Sequence, residues 1–356
     1  MKEEVTDIGD YMKVFACTAV MMQSVLSMVL ATSPSQNYQI TIGIIYNLVK
    51  FTAPVFIFGI LYSTTRNSKK KYLPYLKTQW SALFIPTIIW TSIYLLVFPK
   101  LQQVNSYHNI GGFIWQFVNG NAAPHLWYNT MMLQFIMLMP IFWILADFIK
   151  KNRNYTFMIV AVSTVGYFIW IYFYDLTVFN GVHNQDWYLL DRIFISFIIY
   201  GILGTLAWVK RVQLEKIIKV IWPFLILSFI VVFAWTNREL FSFGFPIHLS
   251  NAPYYKPSMT IYSLVIIGLI ITIAIKQINS SSKNLPLIHF LATYAYRAYL
   301  SNVFWLQIIW QFGGKNIAYI NPLLGIITCY LLTWILSFSS AYIFHIIWSK
   351  AKRVVL

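Results

Sequence analysis

The sequence predicts an all-α, polytopic membrane protein of about ten transmembrane helices with both ends in the cytoplasm, and three observations carry that prediction. Of 356 residues, 59% are apolar, 19% aromatic and only 10% charged, with a mean hydropathy of +0.64, values foreign to a water-soluble domain of this length. Apolar runs of about 20 residues, the length a bilayer requires, recur along the whole chain. The connections between them alternate between rich and poor in Lys and Arg, as cytoplasmic and outer loops do.

The first run, Tyr11 to Ala31, follows an acidic head (Glu3, Glu4, Asp7, Asp10) and lacks the basic start of a secretory signal, so it is read as a retained span. Further runs are Thr41 to Ser63, Trp80 to Phe98, Leu126 to Ile149 and Tyr155 to Phe173. The second half gives Ile193 to Val209, Val220 to Thr236, Ser258 to Ile275, His289 to Phe312 and Pro322 to Ile346. No tandem repeat or linker divides residues 1–356, which read as a single membrane domain. One set of connections, with the two ends, holds 18 cations, among them Lys2, Arg66, Lys69, Lys70, Lys150 and Lys219. The alternate set holds 5: Lys100, Arg192, Arg238, Lys256 and Lys315. Because the net charge of +16 is scattered between apolar runs and not gathered on one face, nucleic acid is excluded as a partner. Cys17 and Cys329 lie inside apolar runs and read as packing residues without a disulfide.

Three connections on the cation-poor side are long: Pro99 to His125, Tyr174 to Arg192 and Asn237 to Pro257. They carry His108, His125, His183 and His248, four acids, and aromatics including Trp187, Tyr188, Tyr254 and Tyr255. Such loops suit contact with a sugar or another extracytoplasmic acceptor; the alternative is an ordinary aromatic belt at the interface. Residues Gly111 to Val118 read as a short helix lying on the outer surface.

Three cations fall inside spans: Lys13, Lys50 and Arg297. At 1.5 Å per residue, Lys50 lies roughly 13 Å from the outer end of its helix and Arg297 roughly 12 Å from the inner end of its own. A charge at that depth costs at least ~2.5 kcal/mol on insertion scales, so it faces the bundle interior and needs a partner. Asp10 and Asp147 stand only at the boundary, which leaves a guest anion as the expected partner; the alternative is snorkelling, or bonding to carbonyls and tyrosines such as Tyr299. Gln23 and Ser24 add polar groups to the first span, with Ser24 eleven residues beyond Lys13 on the same face.

The stretch Ala122 to Pro140 opens with Pro124, His125, Trp127 and Tyr128 and then turns into a methionine- and leucine-rich run. With Gln134 and Pro140, this PHLWY segment resembles the fourth span of acyltransferase family 3, integral membrane enzymes of bacteria that O-acylate cell-surface sugars. The segment Asn47 to Gly59 is similar to the family's second span, and the ten-span plan with cytoplasmic ends fits as well. The nearest likeness is to the branch concerned with intercellular adhesin export or modification. In the family an Asp, an Arg three residues on and a His eleven residues later open the first span; here Asp10 and Lys13 fit and Ser24 stands in the histidine's place. The family's arginines before the proline of the third span are absent, Gln79 and Ala82 standing there, and its late Tyr-Leu-x-His-Pro pattern reads Tyr299, Leu300, Ser301, Asn302, Val303.

The resemblance implies an enzyme of the bacterial plasma membrane that carries an acyl group from a cytoplasmic donor such as acyl-CoA to a cell-surface polysaccharide or lipid-linked glycan, with no bound cofactor. His125 and Ser24 are then the candidate catalytic residues, and Lys13, Lys50, Arg297, Asn302, Gln23 and Trp127 the candidate anion- and substrate-binding set. Lys50→Ala or Arg297→Ala is expected to abolish activity. The competing reading is a non-catalytic member that acts in exopolysaccharide export or binding during biofilm formation, beside a membrane glycosyltransferase. A solute transporter would show internal repeats and interrupted spans at matching positions, and neither is visible. No His, Asp, Glu or Cys group has the spacing of a metal site.

Overall fold

The computed structural model describes residues 6–66, 71–103 and 106–355. Lys2, Glu3, Glu4, Lys69 and Lys70 of the charge count lie outside the described residues. The chain is built of α1 (Ile8–Leu30), α2 (Gln36–Leu48), α3 (Thr52–Thr65), α4 (Tyr72–Gln79), α5 (Ile85–Val97), α6 (Ile110–Asn119), α7 (Trp127–Met137) and α8 (Met139–Lys151). It continues with α9 (Tyr155–Tyr174), α10 (Ile198–Val209), α11 (Arg211–Phe241), α12 (Pro257–Asn279), α13 (Leu285–Ile309), α14 (Lys315–Ile320) and α15 (Pro322–Val355).

Every apolar run forms helix, and the protein is an all-α, multi-pass membrane protein. Among the described residues seven helices are long and apolar enough to cross a bilayer, and the bent pair α7–α8 makes an eighth. The other two of the expected ten differ for physical reasons. Phe194–Val209 is apolar but short, and α13 spans 25 residues but is diluted by His289, Arg297, Asn302 and three tyrosines.

Prolines set the breaks. Pro140 cannot donate to Ile136 O, and α7 and α8 bend by 53° there. Pro86 follows a five-residue π-helical turn, Trp80–Phe84, that links α4 to α5. Pro54 has no N–H for Lys50 O, and the second span stops at Leu48 and resumes at Thr52. The carbonyls freed by this last break are met by side chains: Gln23 Nε2 donates to Val49 O at 2.6 Å and Tyr262 Oη to Leu48 O at 2.7 Å. Two spans are therefore interrupted, and both lie in the first half and not at matching places in two halves.

Helix α1 packs against α3, α13 and α15. Its partnership with α13 is parallel and recurs every seven residues along α1 and every six or seven along α13. Asp10 meets His289 at 2.9 Å, Cys17 Sγ donates to Ala295 O at 3.1 Å, and Ser24 Oγ reaches Asn302 Oδ1 at 3.5 Å. Both cysteines are free and buried, as their apolar setting predicts. Helices α3 and α10 touch backbone to backbone at Gly204, where an added Cβ would stand 2.5 Å from Phe58 O. Gly204→Val is therefore expected to cost roughly 1–3 kcal/mol through forced helix separation, read as a lower unfolding temperature in detergent.

The outer-surface segment is helical as expected. Asn109 caps α6 by accepting from Gly112 N at 2.7 Å, and Gly120 ends it at φ 70°. The face of α6 turned to the protein holds Gln116 and Asn119, whereas Ile110, Ile114, Trp115 and Val118 are exposed. An amphipathic helix with its apolar side outward lies against lipid.

Candidate active site

One cavity of about 290 Å³ runs between α1, the α2–α3 break, α13 and the loop that precedes α7. Its walls include Gln23, Ser24, Lys50, His125 and Trp127. Five of the eight residues singled out from sequence thus meet in a single space. Phe56, Tyr46, Tyr128, Tyr254 and Tyr299 add aromatic surface.

Lys50 is placed by the break: leaving the helix after Leu48 turns its stem inward, where it is buried. Its Nζ donates to Tyr46 Oη at 2.8 Å and lies 4.5 Å from the ring centre of Tyr254 and 4.7 Å from that of Tyr46. Two electron-rich rings and a hydroxyl stabilise the ammonium, and among the described residues no carboxylate pairs with it.

His125 is held from three sides. Tyr94 and Tyr299 pack edge-on against its ring, each with centroids 5.2 Å away, and the Tyr299 hydroxyl donates to His125 O. Tyr94 Oη donates to Leu300 O at 2.8 Å and accepts from Phe304 N at 3.0 Å, so a side chain is inserted into the ladder of α13. Leu300 O also faces His125 Nε2 at 3.4 Å. With its proton directed there from Nε2, the imidazole keeps a lone pair on Nδ1, which is buried and makes no hydrogen bond. Burial pushes this imidazole, which sits in the connection before α7, down to about 3 and keeps it neutral.

The loop carrying His125 is moored by Arg192. One guanidinium nitrogen donates to Asn119 O and to Asn121 Oδ1, both at 2.5 Å, and Nε pairs with Asp191 at 3.1 Å. Gln134 closes the mooring by donating to Arg192 O at 2.7 Å and accepting from Phe194 N at 3.1 Å. Sequence reasoning missed Arg192 because it counted only as one of the few cations on the poorer side. Its nearest signal was the polar Asn119, Asn121 pair just before PHLWY.

The remaining candidates are placed otherwise. Ser24 Oγ bonds Val20 O at 3.2 Å and Asn302 Oδ1 at 3.5 Å, and no base is bonded to it among the described residues. Asn302 is fully buried behind Ser24 and donates to Tyr299 O, so it braces α13 and does not line the cavity. Lys13, expected among the anion-binding residues, lies outside this cavity and pairs with Asp10 at 3.2 Å, one turn below, at the basic end of the bundle. Arg297 was expected among the anion ligands with Lys50. It lies on the far side of α13, bonded to His345 Nδ1 at 2.8 Å and away from this cavity. Helical spacing explains the separation. Tyr299, Val303, Leu306 and Gln307 share the cavity face, and Arg297 falls about 160° from Tyr299 at 100° per residue.

A family model described as an acyltransferase domain, that of acyltransferase family 3, matches residues 9–342. No curated protein and no solved structure matches the chain.

Proposed function

The chain belongs to acyltransferase family 3, and from that premise we propose that it transfers an acyl group from a cytoplasmic acyl-CoA-like donor to a hydroxyl of a cell-surface polysaccharide or lipid-linked glycan. The observation that supports this reading is that one aromatic-walled cavity is lined both by a neutral histidine and by a lysine that has no carboxylate partner among the described residues. Trp127, Tyr254 and Phe56 offer flat apolar faces on which a sugar ring stacks. The volume of about 290 Å³ lies at the lower edge of small-ligand sites, which take one end of a long molecule at a time.

In the proposed reaction the acceptor hydroxyl gives its proton to His125 Nδ1 as its oxygen attacks the thioester carbonyl carbon. The carbonyl electron pair moves onto oxygen, where the Lys50 ammonium stabilises the charge. Collapse breaks the C–S bond, the thiolate takes up the proton from His125, and the ester remains on the sugar. Gln23 acts as a positioning residue, since it holds the backbone of the break that presents Lys50.

Because the His125 ring stays neutral far below the ordinary histidine range, a base of this kind remains competent as pH falls. The rate constant kcat/KM is expected to show no acid limb centred near pH ~6.5, the ordinary histidine value, when followed by CoA release between about pH 5 and 8. A midpoint near ~6.5 would assign the base to another, solvated histidine.

Ser24 favours the second reading, a member that binds or exports polysaccharide without chemistry, because among the described residues its hydroxyl has no base to activate it. Purified protein given labelled acyl-CoA and isolated surface polymer separates the two. CoA release with ester on the polymer supports transfer. Absence of both, with polymer export lost in a deletion strain, supports the non-catalytic role.

A further inference from the structure

A second opening, of about 610 Å³, lies outside the central cavity between α5, α13 and α15. Its walls are apolar and turned toward the membrane: Ile85, Ile89, Ile93, Trp90 and Phe344 line it. Three of its polar groups are bonded within the protein. Trp305 Nε1 donates to Ser340 Oγ at 2.9 Å, Ser340 Oγ to Ser337 O at 3.1 Å, and Ser301 Oγ to Ala298 O at 3.2 Å. The charged group of the groove is the Arg297 guanidinium.

Arg297 has a partner, but not a counter-charge. A guanidinium has donors only, so His345 Nδ1 must accept its N–H, and an imidazole that accepts at Nδ1 is the neutral tautomer. Among the described residues Arg297 makes no ion pair. The net charge of this pair in an apolar, lipid-facing groove is therefore +1. Helical side chains lean toward the helix N-terminus, which for α13 is the basic end. The guanidinium thus points down the groove toward the head groups of that leaflet, the direction in which His345 also lies.

We propose that this groove is a binding site for one anionic phospholipid of the membrane, its phosphate on Arg297 and one acyl chain laid along Ile85, Ile89 and Ile93. The lipid supplies the missing negative charge, and the groove supplies an apolar channel for a chain, a pairing that free phosphate cannot exploit. Lys13 and Lys50 take no part, since the first is paired with Asp10 and the second faces the other side of α13. The inference rests on Arg297 and its groove alone, and its readout is lipid retention and not acyl transfer.

The test is native mass spectrometry of the purified protein titrated with phosphatidylglycerol or phosphatidylcholine of identical chains, with inorganic phosphate as a competitor. The wild type is expected to retain phosphatidylglycerol about tenfold more strongly, the scale of one charge-assisted contact. Arg297→Gln is expected to erase that preference and Arg297→Lys to keep part of it. Ile89→Trp, which fills the groove from its exposed side and leaves Arg297 in place, is expected to weaken retention of both lipids and serves as the deciding variant should Arg297→Gln fail to fold. Equal retention of the two lipids by the wild type, an undiminished preference in Arg297→Gln, full retention in Ile89→Trp, or displacement of the lipid by inorganic phosphate would each overturn the assignment.

Discussion

Lys50→Met is expected to lower acyl transfer by at least about a hundredfold, the scale of removing one group that stabilises developing negative charge, while the amount of protein in the membrane is unchanged. Methionine keeps the apolar stem of lysine and removes the ammonium, and with it the bond to Tyr46 Oη and the contacts with the Tyr46 and Tyr254 rings. Stability moves the other way. A buried cation supported, among the described residues, by two rings and a hydroxyl costs the fold free energy, and its removal is expected to raise the unfolding temperature. Loss of activity joined to a gain in stability marks a residue kept for chemistry. A lysine that merely held helices together would lose both, and a wild-type rate in Lys50→Met would remove the cation from the reaction altogether. CoA release and a melting curve in the same detergent read the two quantities side by side.

His125→Phe is expected to reduce turnover by about 10²- to 10⁴-fold, the usual contribution of a general base. Phenylalanine preserves the edge-on contacts with Tyr94 and Tyr299, and the Tyr299 bond goes to the backbone carbonyl of residue 125, which every substitution retains. The variant therefore isolates the two ring nitrogens. If kcat is unaffected, His125 serves only to wedge the loop against α13.

The fold was legible in the sequence because each span is a long apolar run, and length with hydropathy is what a bilayer selects. Where the chain departs from that pattern, a few residues are responsible. Pro54 and Pro140 interrupt spans that hydropathy alone joins, and Arg297 with the tyrosines of α13 lowers the hydropathy of a helix that is otherwise long enough. The site was legible in part. Residue type identified Gln23, Ser24, Lys50, His125 and Trp127, which converge on one cavity. It could not sort the three intramembrane cations by partner, because a one-turn pair such as Asp10 with Lys13 and a contact 48 residues apart such as Arg297 with His345 depend on geometry. The role of Arg192 was hidden for the same reason: its acceptors, Asn119 and Asn121, lie more than 70 residues upstream.

The interruption at Pro54 has a mechanical side as well. A span made of two stiff rods joined by three residues can flex at the joint, and Lys50 is the middle residue of that joint. Any tilt of α2 relative to α3 therefore swings the ammonium directly, with Gln23 and Tyr262 acting as the two pins that limit the swing. The proline and the lysine form one device. An alanine at position 54 would restore the missing donor, let the rods fuse into a straight shaft, and carry the charge out of reach of its substrate without altering the charge itself.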